Sequence, residues 1–204
     1  MTKDEKIAKL GKEITDRATV LLGKDKITPD APEYLGINSA LKFTAVKYDD
    51  KMADDILDIA LTMKKRVPLT IEQLAKKNPQ FDRAYLEKAL QALSESGLVE
   101  FHWENLDGKN PNHEKRWVLD MFVPGSAEIM MINPEQADMF PETADFFERM
   151  AYLPLAGITE MVPPGGAGIG MHVIPVEKAI PAESKSLPIE HLSHWLKKYE
   201  GHIG

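Results

Sequence analysis

At Gly97 the apolar residues of this chain change period, and no other feature limits its possible folds so strongly. Upstream, Met52, Ile56, Leu57, Ile59, Ala60 and Met63 recur at helical spacing, which predicts a helix from about Asp49 to Arg66, ahead of Pro68. Thr70, with Gln73 three residues on, forms a capping box that opens IEQLAKK, and Asn78-Pro79 ends that helix. A third helix opens near Asp82 and carries Tyr85, Leu86, Ala89, Leu90 and Leu93 on one face. Beyond Gly97 the period falls to two. In LVEFHWE, Leu98, Glu100, His102 and Glu104 share one side, and Val99, Phe101 and Trp103 share the other. Asn105 to His113 (NLDGKNPNH) is built of turn residues, and Lys115 to Val123 (KRWVLDMFV) returns as a second strand.

Three helices, a strand, a polar loop and a strand is the order of a winged helix. The predicted fold is therefore α+β, mostly α, with a winged-helix domain over 49–124. Residues 1–48 read as an N-terminal helix and an extended arm. Ile7, Leu10, Ile14, Ala18 and Leu21 predict a helix from Lys3 to Leu22, stopped by Gly23. The stretch from Lys24 to Tyr48 has two prolines, a glycine and no period of its own, which predicts a connector laid across other elements. Residues 125–204 read as a Pro/Gly-rich C-terminal extension. EIMMI (Glu128 to Ile132) is a strand or a short apolar segment, and Pro134 opens a helix. PETADFFERMAYLP contains another helix, with Phe146, Phe147 and Met150 toward a core. A strand (MHVIPV), a Pro-bounded linker and a last helix (IEHLSHWLKKYE) follow.

Composition removes several kinds of chemistry. The chain of 204 residues has no cysteine, so it offers no disulfide, thiolate ligand, cysteine nucleophile or cysteine-held cluster. Lys and Arg number 25 against 32 Asp and Glu, and the net charge of -7 opposes general nucleic-acid binding. No apolar run approaches the roughly 20 residues that span a bilayer. The charge-alternating start, MTKDEKIAKLGKEITDRA, is unlike a secretion signal, which points to the cytoplasm.

The segment VPPGGAGIGMHVIPV, Val162 to Val176, invites comparison with a phosphate-binding loop. A dinucleotide fingerprint needs a strand before its glycines and a helix after them. Here Pro163-Pro164 precedes, a β-branched run with Pro175 follows, and Met171 stands where Gly166-x-Gly168 would require a third glycine. No lysine with Ser or Thr follows to make a P-loop. Backbone freedom between stiff prolines instead suits close packing on a surface, within this chain or on a neighbour.

His191 and His194 lie three apart on the last helix, but Glu190 and His202 complete no familiar metal spacing. With Leu192, Trp195 and Leu196 alongside, this reads as a docking helix. His102 and His172 read as structural residues, and no Ser-His-Asp arrangement stands out. As a DNA reader, the third helix would offer Arg83 and Lys88, and the loop region Lys109, Lys115 and Arg116. Asp82, Glu87 and Glu95 on the same helix nearly cancel its cations, so charge favours contact with protein. The candidate contact residues are Met161, Gly166, Gly168, Met171, His191 and Trp195, together with Phe140, Phe146, Phe147, Met150 and Tyr152. Methionine adapts readily to irregular partners. A ligand entering between the winged helix and the extension is a further possibility.

The runs MFVPGSAE, MVPPGGAGIG and HVIPVEKAI carry a resemblance that extends from about Pro32 to the end. The chain resembles the N-terminal region of anaerobic iron–sulfur flavoproteins of the pyridine nucleotide-disulfide oxidoreductase family, which have ferredoxin-like domains downstream. The resemblance implies a winged-helix region that precedes a cysteine-rich cluster segment and an FAD- and NAD(P)-binding oxidoreductase portion. On that footing the sequence is a fragment cut before its cofactor-binding parts. It is non-catalytic itself, and its partners are the downstream redox domains or a separate protein, with a homodimer possible. No catalytic residue transfers, because no position here matches a cluster ligand or a flavin motif.

Overall fold

The computed structural model describes residues 1–15, 27–105 and 108–151, all within Met1–Met161, the first of two units into which the chain divides. The fold is mostly helical, with one two-stranded antiparallel sheet among the described residues. Helix α1 (Lys3–Ile14) opens on a capping box in which Thr2 and Glu5 satisfy each other's backbone N–H groups. It ends well before the predicted Leu22, because Thr15 takes extended backbone angles and its hydroxyl bonds back to the Gly11 carbonyl. Gly23, the predicted stop, lies outside the described residues.

The predicted arm is instead a helix, α2 (Pro32–Lys47). Pro32 sits at its first turn, where a missing N–H costs nothing. Ile37, Ala40, Leu41 and Phe43 are buried together with Glu33, Ser39 and Thr44, so apolar and polar positions alternate around the whole cylinder. A helix enclosed on most sides shows no amphipathic stripe, which is why its period was invisible. It packs against α1, against α3 (Asp50–Ala60) and against α8 (Glu142–Ala151).

Helix α3 is capped by Asp49, whose carboxylate accepts from Met52 N–H, and it stops at Ala60, six residues short of the predicted end. The chain then runs along the hairpin: Arg66 N–H bonds Leu119 O at 2.8 Å, and Leu69 and Trp117 exchange backbone bonds of 2.9 and 2.8 Å. Thr70 and Gln73 form the predicted capping box of α4 (Ile71–Lys77). Asp82 caps α5 (Arg83–Glu95). Asn78 is buried between them and donates to Thr62 Oγ1 and Leu74 O, both at 3.0 Å, joining the turn after α3 to the end of α4.

Gly97 has φ of +81° and directs the chain from α5 into β1 (Val99–His102). A Cβ there would lie 2.9 Å from Met130 Cγ, so both the angle and the space require glycine. Strand β2 (Arg116–Leu119) pairs antiparallel with β1, placing Phe101 opposite Trp117. The period-two segments are thus strands, each shorter than predicted. A π-helical turn (Phe122–Ser126) leads into α6 (Ala127–Ile132), so EIMMI is helical rather than a strand. Short apolar runs are ambiguous between the two states, and here Met130 seats into the core from a helix. Asn133 caps α7 (Pro134–Met139), with Pro134 at the first turn as predicted.

One continuous core joins Ile7 and Leu10, Ile37 and Leu41, Ile56 and Leu57, Leu74, Leu86 and Leu90, Leu119, Phe122 and Met130. Each such side chain, fully buried, contributes about 1.5–3 kcal/mol relative to exposure. Between α2, α7 and α8 runs a polar seam: Gln136 Nε2 donates to Ser39 Oγ at 3.0 Å, and Ser39 and Thr143 share a short hydroxyl bond. Glu142 accepts from Asn38 and pairs with Lys42.

Candidate interaction surface

The face that would read DNA, formed by α5 and the hairpin, holds a groove of about 410 Å³. Ile71 and Trp117 supply its apolar lining, and Arg83, Glu87, Glu114 and Lys115 its charged lining. Arg83 Nη1 pairs with Glu72 at 2.6 Å and its Nε with Glu87 at 3.1 Å, so the guanidinium is held by two carboxylates. Lys115 Nζ lies over the rings of Phe101 (3.8 Å to the centroid), Trp117 (4.1 Å) and Trp103 (5.7 Å). Burial lowers the Lys115 pKa, against the opposing charge of Glu87.

The remaining predicted cations sit elsewhere. Lys88 lies over the Tyr48 ring at 5.5 Å, where the Tyr48 hydroxyl also donates to Glu95 at 2.7 Å. Burial and that bond push the Tyr48 pKa up to about 12. Arg116 donates through Nη2 to the Lys109 carbonyl, closing the base of the loop. Of the five residues named for a nucleic-acid face, the structure brings Arg83 and Lys115 into one groove and joins Arg116 to Lys109. Met161, Gly166, Gly168, Met171, His191 and Trp195, with Tyr152, His172, His194 and the MHVIPV strand, lie outside the described residues. Phe140 is partly buried at the end of α7.

The loop between the strands is anchored by one side chain. Buried Asn110 donates to the carbonyls of Trp103, Glu104 and Glu114 at 3.2, 3.3 and 2.8 Å, and accepts from Glu114 N–H at 3.0 Å. His113 Nδ1 lies 3.0 Å from the Trp103 carbonyl. His102 stands in β1, with Nδ1 3.3 Å from Glu104 Oε2. Asn110→Ala is expected to cost about 2–3 kcal/mol, since it strands several backbone groups at once. Urea denaturation measures that loss, and a cost under about 0.5 kcal/mol would mean water replaces the side chain.

Sequence reasoning named Lys115 as a DNA contact and missed the ring cluster around it. The signal was present: Phe101 and Trp103 alternate onto one side of β1, and Lys115 and Trp117 stand two apart on the returning segment.

The chain has no thiolate to offer an iron–sulfur cluster, and among the described residues no three His, Asp or Glu side chains converge as metal ligands. No helix among the described residues is long and apolar enough to cross a membrane. Compared with known proteins, the chain matches no family model, no curated protein and no solved structure at a significant level.

Proposed function

We propose that residues 49–124 form a winged-helix module whose α5–hairpin face binds protein, and that the chain is the non-catalytic N-terminal part of an iron–sulfur flavin oxidoreductase of the pyridine nucleotide-disulfide family. In that role it positions the redox domains or their partner, while clusters, FAD and NAD(P) belong to other parts of the protein. The helix order, the segment from Arg66 to Leu69 lying along β2, and the anchored loop support the winged-helix reading. The parentage rests on the sequence resemblance alone.

One observation carries the choice of partner. Four of the five cations that a DNA reader would aim at phosphates are already engaged: Arg83 by two carboxylates, Lys115 by three rings, Lys88 by Tyr48 and Arg116 by a carbonyl. Each phosphate contact would first have to break one of these contacts, which offsets the counterion release that drives such binding. Titrating a labelled duplex at several salt concentrations tests this. The expected dissociation constant is weaker than about 10⁻⁴ M at physiological salt, the weak end of non-specific binding. Submicromolar binding that weakens steeply with salt would replace this reading with a transcriptional regulator.

A further inference from the structure

The hairpin already demonstrates a binding property, because it holds an ammonium ion of its own. Phe101, Trp103 and Trp117 surround Lys115 Nζ, and strand register sets two of them, Phe101 and Trp117, opposite one another. Phe101 and Trp117 are cross-strand partners with centroids 5.1 Å apart, and Trp103 stands edge-on to Phe101 at 5.3 Å. Converging ring faces attract organic cations through their quadrupoles. Trp103 is 48% exposed, so the cluster reaches the surface, and Asn110 fixes its backbone carbonyl.

The surroundings favour positive charge. Glu87 and Glu114 line the adjoining groove and Glu72 holds Arg83 beside it, three carboxylates against Arg83 and Lys115. With Lys115 swung into solvent, the groove would be lined by two carboxylates and by one cation, Arg83, that Glu72 already pairs. Lys115 is a poor permanent occupant, since a lysine ammonium is strongly hydrated and loses part of that hydration over the rings. A guanidinium is more weakly hydrated, is flat, and stacks better on rings. The long lysine stem lets the head leave without moving the strand.

The geometry points to a cation-binding nest of Phe101, Trp103 and Trp117 that Lys115 fills in the free protein and that accepts a basic side chain of a partner protein in its place. That the cation comes from a protein rests on the contact reading above, whereas cation binding itself does not.

The test uses the full chain and follows the indole N–H resonances of Trp103 and Trp117 during titration with acetyl-Gly-Ser-Arg-Ser-Gly-amide, with the glutamate-for-arginine peptide as control. The arginine peptide is expected to move both resonances, and the glutamate peptide neither. Lys115→Met keeps the stem and removes the competing ammonium, and should tighten arginine-peptide binding by about 3–10-fold. Trp103→Ala, at an exposed position, should weaken it by at least about twofold, the range of a cation–π contact. The inference is overturned if the arginine peptide moves neither resonance in wild type and in folded Lys115→Met, if the glutamate peptide acts equally, or if Lys115→Met binds more weakly than wild type. Failure here together with absent duplex binding leaves the protein-contact reading standing, whereas tight, salt-sensitive duplex binding removes that reading whatever the peptides do.

Discussion

Phe122→Ala is expected to lower the stability of the described unit by about 3–5 kcal/mol, the usual cost of emptying a large aromatic site in a core. Phe122 is fully buried at the start of the π-helical turn, where the hairpin hands the chain to α6. Its ring lies against Gly36 of α2, so it joins the hairpin side of the core to the buried helix. For a protein of this size the loss corresponds to a fall of about 6–20 °C in melting temperature.

The same contact predicts a coupling. A Cβ at Gly36 would sit 2.5 Å from Phe122 Cε2 and 3.0 Å from Cζ, closer than side chains approach. Gly36→Ala alone should therefore cost about 1–3 kcal/mol, because a ring enclosed on all sides has little room to retreat. In the double variant the added methyl enters space the ring has vacated. The two costs should then fall short of additive by at least about 1 kcal/mol. Strict additivity, measured by urea denaturation of all four proteins, would mean that α2 and the turn do not share one packing site.

Which parts of this fold were legible follows from how local their causes are. The capping box of Thr70 and Gln73, the Asp82 start, the Gly97 turn and the alternating strands are set by residues within a few positions of one another, so the sequence displays them directly. Helix α2 is different. Its residues are chosen by neighbours on every side, with Ser39 serving Gln136 and Thr143, and Gly36 yielding to Phe122. A pattern answering to several surfaces at once has no single period.

The candidate site divides the same way. That Glu87 would offset Arg83 can be read from an i,i+4 spacing on a helix, whereas Glu72 reaches Arg83 across 11 residues and only the packing of α4 on α5 brings them together. The chain's negative balance argues against a phosphate-binding face, yet net charge says nothing about a lysine stored among rings. That arrangement depends on hairpin register, which sets Phe101 opposite Trp117.

Stability should fall as pH rises from about 4 to 7 through one carboxyl group, and Asp120→Asn should remove that part of the profile. Asp120 follows β2 with its side chain 2% exposed, and its Oδ1 has no hydrogen-bond partner. Burial, and to a lesser degree the charge of Glu100, push its pKa up to about 6; Arg66, whose Nε stands 3.8 Å away, opposes the shift only in part. A folded-state pKa above the unfolded value means that the native state prefers the protonated acid. The stabilising contribution is therefore complete below the ordinary value of 3.8 and is lost as pH climbs through about 6. That interval corresponds to about 3 kcal/mol at 1.4 kcal/mol per tenfold, and access of water past the exposed Arg66 should reduce the observed loss to about 2 kcal/mol. Asparagine keeps the shape without the charge, so at pH 7.5 Asp120→Asn should equal or exceed wild type in unfolding free energy, by up to about 2 kcal/mol. At pH 4 the advantage should vanish. Carboxylates held by favourable partners give a slope of opposite sign in both proteins, so the quantity to compare is the difference between the two profiles from urea unfolding at each pH. Parallel profiles would show that Asp120 does not titrate in this range, and a variant less stable at pH 7.5 would show that the carboxylate, paired with Arg66, is worth more than its burial costs.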